Sequence, residues 1–159
     1  MYPVNPKEKC YTSLPYGYKY PITEPYKSWG VAGVVHNGVD IARKDKSPNT
    51  IYYILSPIKG RVVNVGLWSP PPEYTQAYLD YVLSHKEGRY VSLDSLSSDI
   101  GYRHILLHMY KTFVKPGQVV NKGTPIGIMG KSGMSTGIHL HYGVKDTEGN
   151  WVDPTPYMT

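Results

Sequence analysis

Two histidines separated by one residue, His139 and His141, stand in the stretch GMSTGIHLHYGV that runs from Gly133 to Val144. In an extended strand successive side chains alternate between faces, so both imidazoles project one way and Leu140 the other. Imidazoles that share a face suit metal ligation and proton transfer near neutral pH. Gly133, Ser135, Thr136 and Gly137 lead into the pair as a turn of small and hydroxylated residues that can pack close to a ligand. A His-x-His pair also suits the solvated face of an ordinary edge strand. Partners from elsewhere in the chain must decide between the two.

One set of partners lies in WGVAGVVHNGVDIAR, Trp29 to Arg43. A period of two puts His36, Gly38 and Asp40 on one side and Val39 and Ile41 on the other, so His36 and Asp40 can meet. A simple His–Asp hydrogen bond at a turn would produce the same spacing. A second set lies in GYRHILLHMYKTF, where alternation places Tyr102, His104, Leu106 and His108 on one face and Arg103, Ile105, Leu107 and Met109 on the other. A hydrolytic zinc site takes three protein ligands from His and Asp or Glu and keeps a fourth position for water. His36 and Asp40 as a near pair, joined by one remote imidazole of the His-x-His strand, fit that description.

The elements that must carry these residues read as strands. Residues 1 to 30 are rich in Pro, Tyr and Lys without helical periodicity, which indicates extended loop and short strand. IYYILSPIKGRVVNVGL, Ile51 to Leu67, is dense in β-branched and aromatic residues and broken by Ser56-Pro57 and Lys59-Gly60, hence two strands around a turn. Arg89 to Leu93 is a further strand. VKPGQVVNKGTPIGIMG carries glycines between short Val/Ile runs, the pattern of tight turns, and NWVDPTPY is a closing strand. Only Trp68 to Gly88 differs. After Pro70 to Pro72, Tyr74, Ala77, Tyr78, Tyr81 and Val82 recur at helical spacing, which predicts an inserted helix around 73–86 whose Tyr stripe packs on the core, with a substrate lid as the alternative. His85 then suits the last turn and Gly88 the exit. The predicted fold is mostly β: a single antiparallel, sandwich-like domain over 1–159, with its core at about 12–154 and an inserted loop and helix at 68–88.

Composition narrows the partners. The 159 residues suffice to bury a core without staples. A single cysteine, Cys10, excludes an internal disulfide and a Cys-based zinc cluster. The formal charge of +5 suits an anionic partner, for which nucleic acid, a membrane surface and a cell wall rich in acidic polymer all qualify, and simple solubility accounts for it equally well. No lysine-arginine run or aromatic-basic signature points to nucleic acid. Sixteen tyrosines against one phenylalanine suit strands and grooves that hold peptide or sugar. MYPVNPKEKC lacks a signal-peptide core, and no stretch reaches a membrane span.

Taken together, His36-x-x-x-Asp40, the strand with His108-Met109, VKPGQVVNKGTPIG and GMSTGIHLHYGV resemble the lysostaphin-type (LytM-like) zinc endopeptidases of bacterial peptidoglycan. TSLPYGYKYP and YYILSPIKGRVVNVG add to the likeness, which covers about Thr12 to Pro154. The resemblance implies one zinc ion per chain, bound by His36, Asp40 and His141, with His108 and His139 as catalytic histidines that do not bind the metal. It also implies a water activated by the metal and a substrate in the cross-links or stem peptides of the cell wall. The chain would then act at the wall as a monomeric domain, alone or within a larger protein, secreted or delivered by a phage particle. Two features depart from the family: the length of the 68–88 insertion, and His104, which either lines the groove or fills space.

Other readings compete. The turn-rich VKPGQVVNKGTPIGIMGK resembles biotinyl and lipoyl carrier domains, but a carrier leaves the histidines unexplained. A wall-binding relative without activity would be expected to have lost a ligand. An amidase or carboxypeptidase on the same polymer would use the same metal. Glycyl-glycine bridges and D-alanyl cross-links both remain open as the bond cleaved.

Overall fold

The computed structural model describes residues 11–14, 22–24, 37–42, 51–97, 102–135 and 137–158. Among the described residues hydrogen bonds join eleven strands into one sheet. Its centre is β7 (Arg103–Thr112), flanked by β6 (Arg89–Ser95), β9 (Pro125–Met129) and β10 (His139–Lys145). β3 (Val39–Ala42) lies beyond β10, and β2 (Ile22–Glu24) beyond β3. On the other side β9 pairs with β4 (Tyr52–Leu55), which pairs with β1 (Tyr11–Leu14). β5 (Gly60–Gly66) joins β6 to β8 (Val119–Val120), and β11 (Trp151–Val152) closes on β10. Among the described pairings only β1 with β4 is parallel. The predicted β architecture is therefore present.

Alternation along β3 and β10 separates core from site. Val39 and Ile41 on β3 are buried, as are Leu140, Tyr142 and Val144 on β10, and all belong to one apolar cluster with Val91, Leu93, Leu106, Met109 and Ile126. Burying each large side chain of this kind contributes roughly 1.5–3 kcal/mol. The antiparallel register sets His139 opposite Ala42, Leu140 opposite Ile41 and His141 opposite Asp40. A slip of one residue would bury His139 and His141 and expose Leu140, so the core itself holds the register. The chain closes with a 3-10 turn, Thr155–Tyr157; Tyr157 packs on the cluster, and Met158 is 1% exposed within it.

The inserted helix is present as α1, Gln76–Ser84, but it does not reach the core. None of its residues is buried. Tyr78, Tyr81 and Val82 of the expected stripe are half-buried, while Tyr74 and Ala77 are exposed. Tyr81 instead packs on Trp68 of the preceding loop, ring centroids 5.0 Å apart, and its hydroxyl accepts the Ser69 N–H. The insertion thus folds back on its own entry. At its exit His85 caps the helix one residue past the last turn expected for it, and its ring bonds the Tyr81 carbonyl at 3.0 Å.

Candidate active site

Asp40, His139 and His141 converge because β3 and β10 are paired and present the same face. The Asp40 carboxylate accepts a hydrogen bond from His141 Nδ1 at 2.9 Å, and the same oxygen lies 3.7 Å from His139 Nε2. All three side chains are mostly shielded yet reachable, with 15–19% of their surface exposed. Gly38 makes room for them. A Cβ there would stand 2.6 Å from the Tyr142 carbonyl and 2.9 Å from His141 Nε2, closer than real Cβ atoms approach, so a side chain would displace the ring.

His108 reaches this face by an irregularity. Strict alternation after Leu106 would aim it into the apolar core beside His104. Instead His108 has φ +65°, and among the described residues it is the one non-glycine at positive φ. The β6–β7 register shifts at the same place: Val91 pairs with Leu106 but Arg89 with Met109, so β7 carries one extra residue in a bulge. Met109 takes the buried position, 0% exposed, and His108 turns toward the site. Its ring centroid lies 4.8 Å from that of His139 and 6.4 Å from that of His141. At the bulge β7 also changes neighbour, pairing with β10 up to Leu107 and with β9 from Met109. Holding a histidine in this left-handed conformation costs about 1–2 kcal/mol.

Carbonyls set the tautomers of His108 and His139. His108 Nδ1 lies 2.8 Å from the Ser132 carbonyl, which can only accept, so Nδ1 carries the proton and Nε2 the lone pair. His139 Nδ1 lies 2.9 Å from the Gly137 carbonyl and 3.0 Å from Ser135 Oγ, with the same result. Burial, and then the proximity of His139, lower the His108 pKa to about 4, against a smaller opposing effect of the Ser132 carbonyl. His108 is therefore neutral at pH 7 and able to accept a proton.

The chemistry of Asp40 and His141 suits a cation. Tetrahedral ligands at about 2.0–2.1 Å from zinc stand roughly 3.3 Å from one another. The Asp40–His141 pair, at 2.9 Å, is within a few tenths of an ångström of that spacing. Among the described residues no group of three candidate ligands is complete, and His36, the expected third donor, lies outside them.

Of the two expectations for His104, filling space holds and lining the groove does not. The expectation that it shares a face with His108 and could line the groove fails, because the bulge separates them. His104 is 0% exposed in the core, shares a 2.6 Å hydrogen bond with the Tyr142 hydroxyl and meets the edge of the Tyr157 ring. Ser132, not singled out from the sequence, is the residue that holds His108; a lone serine in a glycine-rich turn carries no periodic signal.

The sequence matches the model of peptidase family M23 over residues 34–154. The chain belongs to peptidase family M23. Over 107 residues it is 34% identical to an uncharacterized metalloprotease of Haemophilus influenzae, covering 67% of this chain and 18% of that protein. Over 141 residues it is 30% identical to the peptidoglycan DD-endopeptidase ShyB of Vibrio cholerae, covering 87% of this chain and 26% of that one. The chain thus spans about a quarter or less of the length of these curated relatives. Among solved structures, the catalytic domain of the antimicrobial peptidase lysostaphin from Staphylococcus simulans superposes with a TM-score of 0.62 at 26% identity, over 93% of this chain and 97% of that one. A zinc-containing peptidase from Vibrio cholerae superposes with a TM-score of 0.59 at 26% identity, over 86% and 36%. In this M23 chain β3, β7 and β10 all lie within the matched span, and with them every residue assigned a role at the site.

Proposed function

We propose that residues 1–159 form a zinc-dependent endopeptidase domain that hydrolyses peptide bonds in the cross-links or stem peptides of bacterial peptidoglycan, acting at the cell wall. The observation that carries this reading is the convergence of Asp40, His141, His139 and His108 from three strands, the last through a strained bulge. The metal relatives and the peptidoglycan endopeptidase named above support it.

In this reading His36, Asp40 and His141 hold one zinc ion. A bound zinc supplies a Lewis acid and lowers the pKa of a water to about 7. His139 and His108 remain as the working bases. Each has its Nδ1 proton committed to a carbonyl, so each can take up or return a proton only at Nε2. Uncharged at neutral pH, His108 can accept the proton lost by the attacking water; once protonated, it can donate a hydrogen bond to the developing oxyanion. Such proton transfer is typically worth about 10²–10⁴ in rate. Core burial of Leu140 and Tyr142 fixes the strand beneath the pair, so the imidazoles are placed without help from substrate.

Digestion of purified peptidoglycans of differing cross-bridge chemistry, with fragments read by mass spectrometry, tests the reading. Peptide-bond cleavage that a chelator abolishes and added zinc restores is expected. Fragments cut at the sugar–peptide amide, or turnover indifferent to the chelator, would overturn it.

A further inference from the structure

Ser132 makes three hydrogen bonds around a single imidazole. Its carbonyl accepts from His108 Nδ1 at 2.8 Å, its hydroxyl donates to the Met109 carbonyl at 2.6 Å, and the hydroxyl accepts the Arg89 N–H at 2.9 Å. Arg89 and Met109 are the register partners that close the bulge on β6 and β7. The hydroxyl therefore ties the 130–138 connection to both strands at the point where His108 leaves regular alternation. Ser132 is itself buried, 8% exposed, so these bonds do not compete with bulk water.

The exit of the insertion completes the clamp. The Glu87 carbonyl accepts the His108 N–H at 3.0 Å, and the Lys86 carbonyl accepts the Met134 N–H at 2.8 Å. Gly88 has φ +65°, and a Cβ on it would run into the Ser132 main chain. The main-chain N–H of His108 is thus held by the insertion and its ring by the connection that precedes the His-x-His strand.

We propose that Ser132 is a positioning residue for the hydrolysis: its hydroxyl fixes its own main chain against the bulge so that its carbonyl holds the Nδ1 proton of His108 and leaves Nε2 as the basic nitrogen. The proposal rests on the function assigned above. It differs from a purely structural role in what it does to the ring. Without the hydroxyl the carbonyl drifts, the tautomer equilibrium of His108 relaxes, and the imidazole loses its direction. Misplacement of a catalytic group by about 1 Å can cost on the order of 10²-fold.

The experiment compares Ser132→Ala, Ser132→Thr and His108→Ala in the zinc-loaded protein, with kcat, KM and zinc content measured on a defined cross-linked peptide. Nitrogen-15 NMR of labelled histidines reads the tautomer. Ser132→Ala is expected to lower kcat about 10–100-fold while KM and zinc content stay within about twofold, and to bring in the Nε2–H tautomer of His108. Ser132→Thr, which keeps the hydroxyl, restores most of kcat. Should the alanine variant fail to fold, Ser132→Cys, close in volume and a weaker hydrogen bonder, takes its place. A wild-type kcat with an unchanged tautomer, or a loss confined to KM or zinc content, overturns the proposal. Absence of zinc-dependent turnover in the wild type would instead overturn the function itself, and the tautomer measurement would still decide the part played by Ser132.

Discussion

His104 and His108 stand on the same strand, within one stretch of alternating residues, yet they meet opposite surroundings. His104 obeys the strand's period and is sealed in the core between Tyr142 and Tyr157. His108 breaks the period, takes a left-handed backbone and faces His139. One imidazole serves stability at a position the fold supplies freely. The other, in the function proposed above, serves chemistry at a position the fold must be distorted to supply, and the distortion is held by bonds from Ser132 and Glu87. What distinguishes them is a single inserted residue, not residue type.

That contrast can be broken first by exchange of losses. His108→Ala is expected to lower kcat by about 10²–10⁴ with the fold intact, measured as turnover beside a thermal scan. His104→Ala should do the reverse. It leaves a cavity and strands the Tyr142 hydroxyl, so a loss of about 2–4 kcal/mol in urea unfolding is expected while the folded fraction turns over normally. If both variants lost activity in proportion to stability, the division of labour would be wrong.

Acid separates the two further. The unfolded His108 takes up its proton near pH 6.5 and the folded one only near 4. The unfolded state therefore binds more protons in that window, and stability falls as pH drops through it and is flat above it. In metal-stripped protein the loss amounts to up to about 3 kcal/mol between pH 6.5 and 4. Urea midpoints should show it in the wild type and not in His108→Gln. A smaller effect concerns backbone alone: His108→Gly should be more stable than His108→Ala by about 1 kcal/mol, because glycine relieves the positive φ. Smallest of all, Leu83→Ser on the exposed side of α1 should change stability by no more than about 0.5 kcal/mol, which would confirm by calorimetry that the helix rests on its own loop.

The strand period was enough to read that His139 and His141 share a face and that Leu140 opposes them. It also put Asp40 opposite Val39 and Ile41 in sense. The pairing that sets Asp40 beside His141 joins segments about a hundred residues apart and has no local signature. The bulge at His108 was invisible for a related reason: a histidine at φ +65° is chosen by what β6 and the 130–138 connection demand, not by its neighbours in sequence. The helix was legible as a helix because its tyrosines recur at the right interval. Its burial was not, since a stripe of tyrosines can pack on Trp68 as readily as on a core. His36 falls outside the described residues, so its place as third ligand stays with the proposal above.

The match to the peptidase family stops at residue 154, but the apolar interior does not. Tyr157 caps His104 and Met158 fills the cluster beyond that boundary. A recombinant fragment trimmed to the family limits would lose its stopper and admit solvent beside Tyr142, on the reverse side of the strand that bears His141. Any graft of this fold onto a targeting module should accordingly make its junction after Met158.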